Sequence, residues 1–382
     1  MARRANGEGT IRKRGDGRWE GRYYDPEADK QRSVYGRTQK EVREKLSKIA
    51  VGKDTLTFVT PNTITVDEWF ELFINTYKEG IIRPQSVAII KSYYKCHIRS
   101  HIGEQQLQKV TKENIVRLLK AESTQCSTQT VKQIKTYLSE IFAQAVKSQM
   151  IKINPATGVQ IPRNQNPDCP KRELSSEELY WFFRGLNEHK HNDVLFFSLL
   201  LTTGIRRGEA IALKWRDFSE DFKFVNINST YVQYMKDGCL IKDENPPKSR
   251  TSIRSIPIQK QMIISLQAHK ERAQFVAKQF DRDFAEDDYV FIESKTNQPL
   301  QLDHFKYTIT AIRNYLKKEY NVDIDRFSPH YFRHTFATMA MRNNIPLETV
   351  KQLMGHSKYD MILKYAHSSD DDKINAINKM FG

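Results

Sequence analysis

The sequence predicts a multidomain, mainly α-helical protein with small β-sheets, built in three parts. An N-terminal three-stranded β-sheet plus helix comes first, an all-α four-helix bundle second, and a larger α+β unit last. Three observations predict this. At 382 residues the chain exceeds what one ordinary core supports. Polar, proline-containing stretches at 54–63 (DTLTFVTPNT) and 161–171 (IPRNQNPDCPK) separate three blocks. The apolar period changes from alternation in the first block to 3.6 in the second, and both periods occur in the third.

The first block, residues 1–53, reads as strand, turn, strand, turn, strand, helix. Gly9 to Arg14 alternates, Gly15-Asp16-Gly17 turns the chain, and Trp19 to Tyr24 forms the second strand. Asp25 to Lys30 is a polar turn, and Arg32 to Tyr35 is the third strand. Thr38 caps a helix, with Glu41 as capping-box partner and Val42, Leu46 and Ile49 as its apolar stripe. One sheet face is expected to carry Arg12, Arg14, Arg18, Arg22, Tyr24 and Arg32, a basic and aromatic set suited to a DNA groove. Trp19, Tyr23 and Tyr35 are expected to pack on the helix.

Residues 64–160 read as the helical bundle. Thr65 is the expected N-cap of its first helix, with Glu68 three residues on and Val66, Trp69, Phe70 and Phe73 on one stripe. Helices near 84–100, 111–121 and 127–148 follow, and Ile153-Asn154-Pro155 is expected to stop the last. The third block, 172–382, opens with helices at 175–188 and 191–204. Strands are expected near 222–228, 230–235 and 251–257, and helices return from 259.

Composition narrows the function. The net charge is +15, and the first 53 residues hold 15 Lys and Arg against 8 Asp and Glu. Such an excess binds polyanions by counterion release, and nucleic acid is the commonest polyanion. No apolar run reaches the roughly 20 residues of a membrane span, and the basic N-terminus lacks the apolar core of a secretory signal. A cytoplasmic protein is expected. Cys96, Cys126, Cys169 and Cys239 lie far apart without a CxxC pair, which suggests reduced thiols and no metal site.

Five short motifs carry the chemistry. Cleaving a phosphodiester without a metal needs a nucleophile, fixed positive charge on the non-bridging oxygens, and an acid for the leaving oxygen. Thr203-Gly204-Ile205-Arg206-Arg207-Gly208-Glu209 sets Arg206 at a helix junction, with Glu209 placed to orient it. Lys248 stands on a turn between strands in PKSRTSIRSIP. In SPHYFRHT, Pro329 starts a helix on which His330 and Arg333 share a face, while Phe332 and Phe336 turn toward a core. His356 lies in LMGHS, and Tyr365 follows nine residues later in LKYAH. Taken alone, Tyr365 reads as a packing residue on a short helix.

These five motifs, in this order across about 165 residues, resemble the tyrosine recombinase (phage integrase) family. The likeness extends to 64–160, which is similar to the family's core-binding domain and ends in INPATGV. It also extends to the GTIRKRGDGRWEGRYY stretch, which resembles the arm-binding domain of integrases from phages and conjugative transposons. The resemblance implies a catalytic recombinase domain at 172–382. It implies catalytic roles for Arg206, Lys248, His330, Arg333 and His356, with Tyr365 as nucleophile. A 3′-phosphotyrosine would keep the bond energy, so no cofactor and no metal is expected. Implied partners are double-stranded DNA with core-type and arm-type sites, a homotetramer at synapsis, an excisionase or directionality factor, and a host DNA-bending protein.

Rival readings make different demands. A relaxase needs a metal held by His-hydrophobe-His, whereas His189-Lys190-His191 has lysine at its centre. A type IB topoisomerase has no use for an arm-binding block. A DNA-binding regulator would lack one or more of the catalytic residues. Beyond Tyr365, the tail's Ile374, Ile377 and Phe381 at helical spacing are expected to dock on a neighbouring protomer, because so short a helix is unstable alone.

Overall fold

A computed structural model of the chain describes residues 10–25, 30–54, 63–163, 172–236, 238–246, 252–293 and 298–355, with the backbone alone at 24–25 and 47–54. The chain divides into two compact units, Met1–Asp168 and Cys169–Gly382. The fold is mainly helical with small sheets. No helix among the described residues is long and apolar enough to cross a membrane.

The first unit opens with an antiparallel sheet in the order β1 (Thr10–Lys13), β2 (Trp19–Asp25), β3 (Lys30–Gly36). The helix α1 (Gln39–Asp54) covers one face. A Cβ at Gly21 would lie 2.5 Å from Val42 and 2.9 Å from Leu46, so glycine lets the helix approach the sheet closely. The Thr38 hydroxyl accepts the Glu41 N–H, but Glu41 returns its bond to the N–H of Arg37 rather than of Thr38.

Pairing register assigns the faces. Arg12 pairs with Glu20, and Arg22 with Ser33, so these four share the face away from α1. Arg32 pairs with Tyr23, and both alternate onto the Gly21 side, against α1. The expectation that Arg32 joins the basic face is therefore corrected. Tyr35 also departs from expectation: it pairs with Glu20, stands on the basic face and is 44% exposed. Arg14 and Arg18 belong to the β1–β2 turn. Arg18 pairs with Asp16 at 2.8 Å, and the Arg14 guanidinium lies 5.5 Å from the Tyr35 ring centre. The Tyr24 side chain lies outside the described residues.

The helical bundle is built from α2 (Val66–Tyr77), α3 (Pro84–Tyr93), a π-helical turn (Tyr94–Ile98), α4 (Arg99–Ile102), α5 (Lys112–Ser123) and α6 (Thr128–Lys147). The Thr65/Glu68 capping box forms in both directions, and Val66, Trp69, Phe70 and Phe73 are all buried. Helix α6 ends at Lys147, within one residue of the expected boundary, but Ile153-Asn154-Pro155 is not what stops it. Gln149 takes a left-handed φ of 56°, and the Met150 N–H returns to the Ala145 carbonyl. Asn154 instead shapes the next turn, accepting the Ala156 N–H and donating to the Ser139 carbonyl.

The second unit packs α7 (Ser176–His189), α8 (Val194–Thr203), α9 (Arg207–Ala212), α10 (Lys260–Gln279), α11 (His304–Tyr320), α12 (His330–Arg342) and α13 (Leu347–Met354) with two small antiparallel sheets. One sheet pairs β4 (Phe224–Ile227) with β7 (Arg254–Pro257), and the other pairs β5 (Thr230–Lys236) with β6 (Cys239–Asn245). The strand β6 was not expected. Its sequence CLIKDEN is poor in strand formers and is held by full pairing to β5. Helix α8 is apolar nearly all round, with Phe196, Phe197, Leu199 and Leu200 fully buried, so it runs through the core.

Candidate active site

The core helix α8 ends at Gly204, which adopts φ 65° and gives its N–H to the Leu200 carbonyl. A Cβ there would lie 2.4 Å from the Phe336 ring, so this left-handed stop also needs a residue without a side chain. Two residues later Arg206 caps α9. Its backbone N–H donates to Glu209 Oε2 at 2.9 Å, and its Nη1 donates to Glu209 Oε1 at 2.6 Å. Glu209, expected to orient Arg206, contacts it directly. Arg206 keeps 36% of its side-chain surface exposed, whereas Glu209 keeps 3%.

Glu209 has a second cationic partner that the motif reading passed over. Arg254, from β7, donates through Nη2 to Glu209 Oε2 at 2.9 Å, and its side chain is 6% exposed. The Arg254 Nε donates to the Leu353 carbonyl near the end of α13 at 2.6 Å. Burial opposes ionisation of Glu209, but Arg254 and then Arg206 outweigh it and hold its pKa below the usual glutamate range. Arg254 stands within the second motif, in strand RSIP, but its partner lies 45 residues away, beyond any local signal.

Arg333 lies on the first turn of α12 and is 1% exposed. Its Nη1 donates to the Gly204 carbonyl and its Nη2 to the Met354 carbonyl, each at 2.6 Å. The planar guanidinium therefore ties the α8–α9 junction to the last residue of α13. His330 is exposed, unlike Arg333, so the shared face expected of the pair runs from the surface into the interior. The His330 ring meets His334 edge-on at 4.7 Å. Phe332 is fully buried, as expected.

The structure thus brings Arg206, Glu209 and Arg254 into one ion-paired group and joins Arg333 to the same segments. Three guanidiniums against one carboxylate leave net positive charge, suited to a phosphate's oxygens. Helix α13 ends with Gly355 at φ 63°, one residue before His356. Lys248, His356 and Tyr365 lie outside the described residues. A cavity of about 800 Å³, lined by Ser198 and Thr202 of α8, Ser265 and Arg272 of α10 and His304, contains none of these arginines. Concavity alone would place the site elsewhere.

Comparison with known proteins identifies the family. Residues 172–372 match the phage integrase family, and residues 66–161 match the phage integrase central domain. The chain is 25% identical over 375 residues to a XerC-like tyrosine recombinase of Caldanaerobacter subterraneus subsp. tengcongensis, covering 91% of each chain. It is 26% identical over 262 residues to the ICEBs1 integrase of Bacillus subtilis, covering 68% of this chain and 67% of that protein. In fold it is similar to the Tn1549 transposon integrase in complex with a circular intermediate DNA. That match has a TM-score of 0.70 at 18% identity and covers 83% of this chain and 99% of the other. A lambda integrase tetramer bound to a Holliday junction matches with a TM-score of 0.58 at 18% identity, over 96% and 99% of the two chains. The chain belongs to the phage integrase family and is a tyrosine recombinase, an enzyme that breaks and rejoins DNA.

Proposed function

We propose that this recombinase integrates and excises a prophage or conjugative element at specific attachment sites. In this reading Arg206, Lys248, His330, Arg333, His356 and Tyr365 are the catalytic residues. The observation that carries it is the tie from Glu209 to Arg206 and Arg254, and from Arg333 to Gly204 and Met354. It gathers three distant sequence motifs and anchors the segment that leads to His356 and Tyr365.

The chemistry is two rounds of transesterification. Tyr365 loses its phenol proton to solvent, its oxygen bonds to the scissile phosphorus, the bond to the 5′ oxygen breaks, and Lys248 supplies that oxygen's proton. A 5′ hydroxyl from the partner duplex then attacks the 3′-phosphotyrosine, returning the phenol and leaving a Holliday junction after the first exchange. A free tyrosine has a pKa near 10, so the site must lower the cost of a phenolate. Arg206, and Arg333 through the N–H groups that its two carbonyl bonds leave over, hold the non-bridging oxygens, where charge builds in the transition state. One phosphodiester replaces another, so the reaction needs neither a nucleotide nor a metal.

The division of labour follows the three blocks. Residues 1–53 bind arm-type sites through the face bearing Arg12 and Arg22, with Arg14 and Arg18 at its edge. Residues 64–160 grip the core-type site, and 172–382 cut it. Joining two DNA-binding modules by a linker lets one protomer bridge two sites through effective concentration. Four cuts require four protomers, in line with the tetramer on a Holliday junction seen for lambda integrase. A directionality factor and a host DNA-bending protein would then choose between integration and excision, in the cytoplasm where the chromosome lies. The test is recombination in vitro between plasmids bearing the element's two ends, in a chelator. Recombinant circles are expected; none from the wild-type chain with its attachment sites and accessory proteins present would refute the proposal.

A further inference from the structure

The helical bundle holds a donor cluster outside the proposed catalytic residues. The π-helical turn carries His97, and His101 follows one turn on in α4. Glu122 stands in the last turn of α5, and Cys126 lies four residues beyond it, with its N–H on the Glu122 carbonyl at 2.9 Å. Two pairs of side chains at i and i+4 therefore face each other across two segments. His97 Nδ1 lies 2.6 Å from Glu122 Oε2. Cys126 Sγ lies 3.5 Å from the same oxygen and 4.0 Å from His97 Nδ1. His101 Nε2 reaches the other carboxylate oxygen at 3.2 Å.

We propose that His97, Glu122 and Cys126 bind one divalent cation of the zinc class, with water as fourth donor and His101 holding the other oxygen of Glu122. Around a tetrahedral zinc, bonds of about 2.0–2.3 Å place neighbouring donors about 3.3–3.8 Å apart. The three donor atoms all lie within 4.8 Å of one another, so only the His97–Glu122 edge must open appreciably. A mixed nitrogen, sulfur and oxygen set selects a borderline-soft ion over magnesium or calcium. The side chains of His97, His101 and Glu122 are 25%, 31% and 13% exposed, so the cluster is partly shielded and still reached by solvent.

The local backbone supports the assignment. At the π turn the Arg99 N–H reaches back five residues to the Tyr94 carbonyl. Such widened turns are rare and recur at functional sites. Binding would staple the π turn to the end of α5, with the Cys126 thiol passing its proton to solvent as the thiolate takes the ion. The simpler alternative is an ion pair of the histidines with Glu122, the thiol serving only as packing. The cysteine spacing hid the site, because its donors come as a lone His97 and an E-x3-C pair from separate segments.

The full-length protein, stripped with a chelator and titrated with cobalt(II), decides between them. One cobalt per chain with a thiolate-to-cobalt charge-transfer band is expected, and zinc should displace it and raise Tm. Cys126→Ser should abolish the band. A chain with Cys96→Ser, Cys169→Ser and Cys239→Ser, retaining Cys126 alone, should keep it. His97→Gln should weaken cobalt binding by more than about tenfold. Circular dichroism on the same samples identifies any variant that fails to fold. A wild-type chain without the band, a band surviving in folded Cys126→Ser, or its loss from the folded chain retaining only Cys126 would overturn the proposal.

Discussion

Arg254 and Glu209 form a buried ion pair, with Nη2 and Oε2 2.9 Å apart and side chains 6% and 3% exposed. The same carboxylate holds Arg206, so a residue that touches no DNA in our reading sets the position of one that does. Removing one member of a buried pair costs about 3–5 kcal/mol, because the other charge is left without compensation. Glu209→Ala should therefore lower Tm by several degrees and reduce strand cleavage, measured by thermal melting and by cleavage of nicked DNA. Glu209→Asp, which keeps the charge but shortens the reach, should recover more stability than activity.

Arg333 spans two backbone carbonyls through a planar fork, a geometry that lysine cannot copy. Arg333→Lys should cut the cleavage rate by about 10²–10³-fold, the usual effect of losing one fixed donor to a developing oxyanion. Binding to the core site, followed by anisotropy, should change far less.

Gly204→Ala tests the junction that presents Arg206. The φ of 65° disfavours any side chain, and the new methyl would meet the Phe336 ring. A destabilisation above about 1–2 kcal/mol is expected from denaturant melts, together with reduced cleavage.

The N-terminal sheet offers a paired test of its two faces. Arg12 lies with Arg22 on the face away from α1, whereas Arg32 points toward α1. Arg12→Ala should weaken arm-site binding and reduce the slope of log K against log salt by about 1. Arg32→Ala should act chiefly on stability and leave that slope unchanged.

On the same face Glu20 is buried, and the Ser33 hydroxyl, then Arg12, hold its pKa down to about 2. A depressed carboxylate stabilises the fold above its unfolded pKa and loses that contribution as pH falls through the folded value. The Tm difference between wild type and Glu20→Gln should be largest near neutral pH. It should shrink from about pH 4.5 downward, toward about pH 2.

Much of this architecture was legible in the residues themselves. Thr65 with Glu68 announces a helix start, since capping is local and the apolar stripe behind it is regular. Glu209 as the partner of Arg206 was legible for the same reason: three residues separate them. What escaped depends on contacts distant in sequence. The i, i+3 rule puts His330 and Arg333 on one face but says nothing of depth, and Arg333 is buried by carbonyls 129 and 21 residues away. The Arg32 face depends on the β2–β3 register, which pairs it with Tyr23. Strand β6 owes its form to β5 rather than to its own composition.

Tyr365 is the nucleophile of the proposed reaction, and covalent trapping tests that role directly. Wild-type protein on a nicked core site, where the cleaved fragment diffuses away, should accumulate a protein–DNA adduct in the presence of a chelator. Peptide mapping should find the nucleotide on Tyr365. Tyr365→Phe should bind the same DNA and form no adduct; an adduct with that variant, or one mapped to another residue in the wild type, would contradict the account.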